Sequence, residues 1–177
     1  MTQAVCVLSA VFLFVAGMAN GVARAADEAE KAAPVSVAVL DFELVDSSLE
    51  GAMRGVDEAE TKRLVLISEL LRDLLAKSGR YKIVDLTPAK AKIADAGLIH
   101  GCNGCEIAIA RSLGADRVIT GIVQKVSTLI LGIHMIERDV VTRKPLRVAA
   151  AQIRGNTDKS WSRGIRWLVR NRLLAEG

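Results

Sequence analysis

Aromatic residues, proline and histidine are all scarce in this chain of 177 residues, which holds three Phe, two Trp, one Tyr, three Pro and two His. So few aromatics argue against a surface that stacks bases or sugars. Two histidines leave few candidates for a histidine-dependent mechanism. Three cysteines are too few for a disulfide-dense mini-protein. Also missing are a Gly-x-Gly-x-x-Gly or P-loop, a His-Glu-x-x-His and a Gly-x-Ser-x-Gly. No catalytic constellation is visible, and no cofactor is expected. What is present is a 51% apolar composition, which excludes a disordered chain, and a length that suits one domain of ordinary size.

Ala4 to Ala19 is an uncharged apolar run, followed by Val22-Ala23-Arg24-Ala25-Ala26. Small residues at Ala23 and Ala25 fit the positions read by a signal peptidase, so residues 1–25 are expected to be a signal peptide cleaved after Ala25. The basic residues usual before such a run are missing, since Met1-Thr2-Gln3 carries only the terminal amine. The alternative is an uncleaved anchor, for which the run is short against the ~20 residues of a full span. Residues 26–34 read as a flexible lead-in and residues 35–175 as a single domain. The expected location is periplasmic or secreted, and nucleic acid is then not expected as a partner despite the net charge of +4.

Val35 to Phe42 alternates as a buried strand does, and residues 43–57, rich in Asp, Ser, Gly and Glu, suit a loop. Leu64, Ile67, Leu71, Leu74 and Leu75 recur at helical spacing between Glu58 and Ser78, and Gly79 is a stop signal. Tyr81 to Leu86 reads as a second strand, and Pro88 opens a brief helix ending near Gly97. A helix follows over Ile107–Leu113, with Asn103 and Glu106 placed to cap it. Three Val- and Ile-rich strands come next, at Arg117–Ser127, Leu129–Val141 and Leu146–Arg154; a last helix, capped at Gly155-Asn156-Thr157-Asp158, runs to about Leu174. The fold class is therefore α/β (α+β), a single mixed sheet of about five strands flanked by three to four helices, in the order β-α-β-α-α-β-β-β-α.

The strands Val37-Ala38-Val39-Leu40-Asp41-Phe42 and Tyr81-Lys82-Ile83-Val84-Asp85, with the run from Ala110 to Gly121, resemble a recurring bacterial envelope module. It is the small α/β domain of the TolB N-terminal region and of the curli-secretion lipoprotein CsgG. The ending Arg154-Gly155-Asn156-Thr157-Asp158-Lys159-Ser160-Trp161 is similar to one branch of it, an uncharacterised family of small exported bacterial proteins with a domain of unknown function. The resemblance implies an architecture and an envelope address. It brings no activity, and there is no room here for pore-forming insertions.

Cys102-Asn103-Gly104-Cys105 admits three chemistries. A structural disulfide between Cys102 and Cys105 is the reading adopted, and it would fix the start of a helix. A periplasmic thiol–disulfide oxidoreductase is the alternative function, because a thiol in a helix's first turn is stabilised as thiolate. A metal site is the third; His100 and His134 are its weak candidates, and no metal is expected. Haem attachment is excluded because Glu106, not histidine, follows the second cysteine. Asp41, Glu43 and Asp46 follow the first strand, where α/β sheets often present ligands and where acidic loops are also simply solvated.

Charge is unevenly placed. Residues 26–60 hold ten acidic and two basic residues, whereas residues 138–172 hold ten basic and two acidic. Either the two stretches neutralise each other across one surface, or the basic one docks on an anionic partner. On the last helix Trp161, Ile165, Leu168, Val169 and Leu173 gather on one side; Arg163, Arg166 and Arg170 gather on the other, flanked by Trp167 and Leu174. Arg163, Arg166, Trp167, Arg170 and Leu174 are the expected interface. The function expected is that of an exported, non-enzymatic envelope protein acting through binding, its partner an envelope protein or an anionic membrane surface. The oligomeric state is left open.

Overall fold

The computed structural model describes residues 33–175; the expected leader, residues 1–25, and most of the lead-in lie outside the described residues. One mixed sheet of six strands organises the chain around β4 (Arg117–Lys125). Two strands, β1 (Val35–Val39) and β2 (Glu43–Asp46), run parallel to β4 along the same edge, and β3 (Tyr81–Ile83) lies parallel outside β1. On the other edge, β5 (Ile130–Asp139) and β6 (Pro145–Arg154) continue as an antiparallel meander.

Helices cover the two faces unequally. On one face α2 (Glu58–Lys77) and α5 (Asp158–Leu168, extended by a π-turn at Val169–Leu173) bury Ile67, Leu71, Leu75, Trp161 and Ile165 against Val39, Ile119, Val123, Ile133 and Met135. α5 starts at a capping box in which Thr157 and Ser160 satisfy each other's backbone N–H. On the other face α3 (Lys90–Ala96) and α4 (Cys105–Ser112) pack on Ala38, Leu40 and Val118. They do not extend over β6 and the start of β5, where Val148 and Ile130 are 71% and 54% exposed.

The fold class is α/β as expected, with two more elements than the five strands and three to four helices anticipated. Among the described residues there are six strands and five α-helices, and the additions, β2 and α1 (Leu49–Arg54), both fall in the expected loop at 43–57. Ser48 starts α1 by accepting the Gly51 N–H at 3.0 Å. The expected strand over 35–42 stops at Val39 because the chain takes one extra residue there. Val39 pairs with Ile119 and Glu43 with Ile122, so four steps on one strand answer three on the other. α2 fills the resulting gap. Arg72 donates to the Val39 carbonyl at 2.8 and 3.1 Å, and the Phe42 N–H donates to Ser68 Oγ at 2.9 Å. The Phe42 ring lies over Gly121, where a Cβ would stand 2.2 Å from a ring carbon.

The extra residue reverses the faces, so Leu44 and Asp46 turn toward α2 while Glu43 turns away. Asp46 thereby meets Lys125, whose side chain is only 3% exposed. Lys125 Nζ lies 2.7 Å from the buried Glu60, 3.1 Å from Asp46 and 3.6 Å from Glu50. At the opposite end of the same face, Glu137 is sealed from solvent with Arg117 and Arg147 each at 2.8 Å.

Burial pushes the Asp46 carboxyl up, but hydrogen bonds from Ser48 and the charge of Lys125 outweigh it and hold it below the usual carboxylate range. Burial likewise lowers the Lys125 ammonium, and Glu60 and Asp46 outweigh that and raise it. Asp46 therefore contributes stability above the ordinary carboxylate range that is lost as pH falls through its depressed value. Lys125 contributes below the ordinary lysine range, a contribution lost only as pH rises through its elevated value.

Lys125→Met, which leaves the buried Glu60 and the half-buried Asp46 without their cation, is expected to cost about 3–5 kcal/mol at neutral pH in denaturant unfolding. Asp46→Asn should be destabilising at neutral pH, with the deficit against wild type shrinking in acid. Gly121→Val must displace Phe42 and is expected to cost roughly 1–3 kcal/mol, read from the same unfolding curves.

Candidate functional site

Two surfaces collect the residues singled out above. The first is a cleft of about 290 Å³ on the face bearing α4, lined by Asp41, Glu43, His100, Cys102, Glu106, His134 and Arg138 among others. β2 supplies its organising group. Glu43 accepts the Ile99 and His100 N–H groups at 2.6 and 2.8 Å, and His100 Nδ1 lies 2.7 Å from the same carboxylate. The 99–101 turn is thus pinned to the sheet, and the Cys102–Cys105 disulfide follows it directly.

The expected cap of α4 is different from the one formed. Asn103 does not cap the helix; Gly104 stands at its start in the left-handed conformation, φ 91°, with no side-chain cap. A three-bond C-x-x-C loop turns the chain too sharply for Asn103 to occupy the cap position, and glycine takes the positive φ without strain. Glu106, released from the expected capping box, stands 3.6 Å from Arg138 and 3.8 Å from Cys102 Sγ.

The acidic trio after the first strand is divided rather than gathered. Glu43 holds the cleft, Asp46 faces Lys125, and Asp41 pairs with Arg72 at the rim. Both histidines line the cleft, but His134 folds along its strand toward Gly132. Among the described residues the one group of three possible metal ligands is Cys102, Cys105 and Glu106, which includes neither histidine. Its two sulfurs are already bonded to each other.

The second surface is the last helix and the strand beside it. Trp161, Ile165, Leu168, Val169 and Leu173 are buried; Arg163, Arg166 and Arg170 are exposed, and Trp167 is 38% exposed with the Arg172 guanidinium 5.5 Å from its ring centre. Leu174 packs partly on the core, and its carbonyl accepts from Arg80 at 2.8 Å. Between α5 and β6 runs a groove of about 560 Å³ bordered by Gln152, Arg154, Arg163, Gly164 and Trp167.

Among the described residues the acidic and basic stretches of the chain form no ion pairs with each other. Acids of the first stretch pair with Arg54, Lys62, Arg72, His100 and Lys125. Among the described residues Arg154, Arg163, Arg166 and Arg170 form no salt bridge. Sequence reasoning missed the buried charges Lys125, Glu60 and Glu137. A signal existed, because Lys125 shares a strand face with Ile119 and Val123, and Glu137 with Leu131, Ile133 and Met135.

A family model described as "Protein of unknown function (DUF2380)" matches residues 35–173. No curated protein matches the chain. Among solved structures, the LpoB C-terminal domain from Salmonella enterica is 19% identical, with 68% of this chain and 83% of that one covered at a TM-score of 0.50. A hypothetical protein from Chlamydia trachomatis is 11% identical, with 77% and 94% covered at a TM-score of 0.53. TolB from Acinetobacter baumannii aligns at 11% identity over 78% of this chain and 28% of its own, with a TM-score of 0.41. The first two show a shared fold.

If the Cys102–Cys105 bond is structural, its reduction potential in a thiol redox buffer should fall below about −300 mV. Cys102→Ser with Cys105→Ser should then cost only about 2 kcal/mol in thermal unfolding.

Proposed function

This chain belongs to the family described as protein of unknown function (DUF2380), and from that starting point we propose that it is an exported, non-enzymatic accessory protein of the cell envelope. It binds an acidic protein partner through the face made by α5 and β6. The observation that carries this reading is the row of exposed arginines, Arg163, Arg166 and Arg170, beside Trp167, with no intramolecular acid taking up their charge among the described residues. Arginine with a half-exposed tryptophan is the composition that protein interfaces favour. The disulfide supports export, because such bonds persist in oxidising compartments.

A protein partner suits this face better than a bilayer. Shallow membrane insertion needs an apolar helix face turned outward, and the apolar face of α5 is spent on the core. Thiol–disulfide exchange at Cys102 and Cys105 is the alternative reading, favoured by the position of Cys105 in the first turn of α4.

A photo-crosslinking residue at position 167 should yield a protein adduct in envelope preparations. Changing Arg163, Arg166 and Arg170 together to Glu should reduce that adduct about tenfold or more, a loss of at least ~1.4 kcal/mol, without moving the melting temperature. An undiminished adduct on the folded variant, or adducts to anionic lipid alone, would overturn the reading.

A further inference from the structure

Resting on the basic-face reading above, we infer that the partner enters as an extended acidic segment that pairs with the free edge of β6 and extends the sheet by one strand. Among the described residues β6 is the last strand of the sheet and bonds only to β5. Its ten residues make it, with β5, the longest strand, whereas the opposite edge strand, β3, has three.

The outward-facing groups follow from alternation. The Gly155 N–H donates to the Leu129 carbonyl at 3.1 Å, and on the far side of β5 the Val126 N–H donates to the Ile130 carbonyl at 3.1 Å. Odd-numbered residues of β5 therefore bond to β6 and even-numbered ones to β4. In β6, Ala149, Ala151 and Ile153 face β5, and the N–H and C=O groups of Val148, Ala150, Gln152 and Arg154 face outward.

Native sheets blunt long edges with lysine, internal proline, bulges or a covering element. Among the described residues Val148 to Gln152 carry no charge, internal proline or bulge and pair with no strand but β5; Arg154 is the one charged residue just beyond them. β6 contains no lysine, its one proline is the first residue, and the single irregularity lies opposite that end, at Glu137/Arg138. The groove against α5 runs along the unprotected part, from Ala150 to Arg154. An added strand would place alternate side chains toward Arg163 and Trp167, and main-chain bonds would supply affinity independent of sequence.

Charge selects the occupant. Arg154 on the strand and Arg163, Arg166 and Arg170 on the helix lack internal partners among the described residues, so acidic side chains on the incoming strand are complementary. A second copy pairing through the same edge would bring two sets of these arginines together, which like-charge repulsion disfavours.

The probe is the peptide Val-Glu-Val-Glu-Val-Glu-Val, with a counterpart carrying Lys for Glu. Amide hydrogen exchange should slow by about tenfold or more at Val148, Ala150, Gln152 and Arg154 with the acidic peptide and not with the basic one. Ala150→Pro removes an outward N–H that β5 does not use, so it should keep the fold and abolish that protection. If the acidic peptide binds while those four amides exchange at their free rate, or binds Ala150→Pro undiminished, the strand-pairing inference falls and the basic-face reading stands. If protection is unchanged in the folded Arg163, Arg166 and Arg170 to Glu variant, both the basic-face reading and the acidic requirement fall.

Discussion

One inserted residue between Val39 and Glu43 governs where most polar chemistry of this protein ends up. In an uninterrupted strand Glu43 would share the face of Val37 and Val39, which lies against α2, and Leu44 would face away. The insertion exchanges them, and two backbone groups lose their ladder partners as a result. α2 replaces those partners with Arg72 and Ser68, which matters because an unsatisfied buried group costs about 1–3 kcal/mol. Gly121 supplies the space that lets Phe42 close the gap from the core side. The pinning of the 99–101 turn by Glu43 and the burial of Asp46 against Lys125 both follow from this one irregularity.

Most of the scaffold was legible in the sequence, for identifiable reasons. β4 and β5 carry sustained Val and Ile content, and α2 and α5 carry long apolar stripes, so local pattern and tertiary need agree. β2 was not legible because Glu43-Leu44-Val45-Asp46 is short and its charged ends are answered from far away, by the 99–101 turn and by Lys125. α1 was missed although Ser48 offered a cap, because none of its residues is buried and no apolar stripe marks it. The split of Asp41, Glu43 and Asp46 among three partners depends on the insertion, which no local pattern announces.

The site residues divide along the same line. That Arg163, Arg166 and Arg170 lie opposite the buried side of α5 is a matter of helical periodicity, and the structure places them so. The groove beside them depends on which strand ends the sheet, a property of topology rather than of any segment. The uneven helix cover adds to this, since α3 and α4 stop short of β6 and leave it bare on one face.

Arg117 and Lys125, at the two ends of β4, have a consequence for assembly as well as for the finished fold. Both faces of β4 carry aliphatic side chains, Ile119 and Val123 on one and Val118 and Ile122 on the other, so hydrophobicity alone separates them weakly. Sliding the strand by one residue would leave Glu137 with Arg147 alone and carry Lys125 away from Glu60, stranding that buried acid at about 3–5 kcal/mol. The paired charges thus act as a proofreading device, destabilising a mis-threaded sheet that an all-aliphatic strand would tolerate.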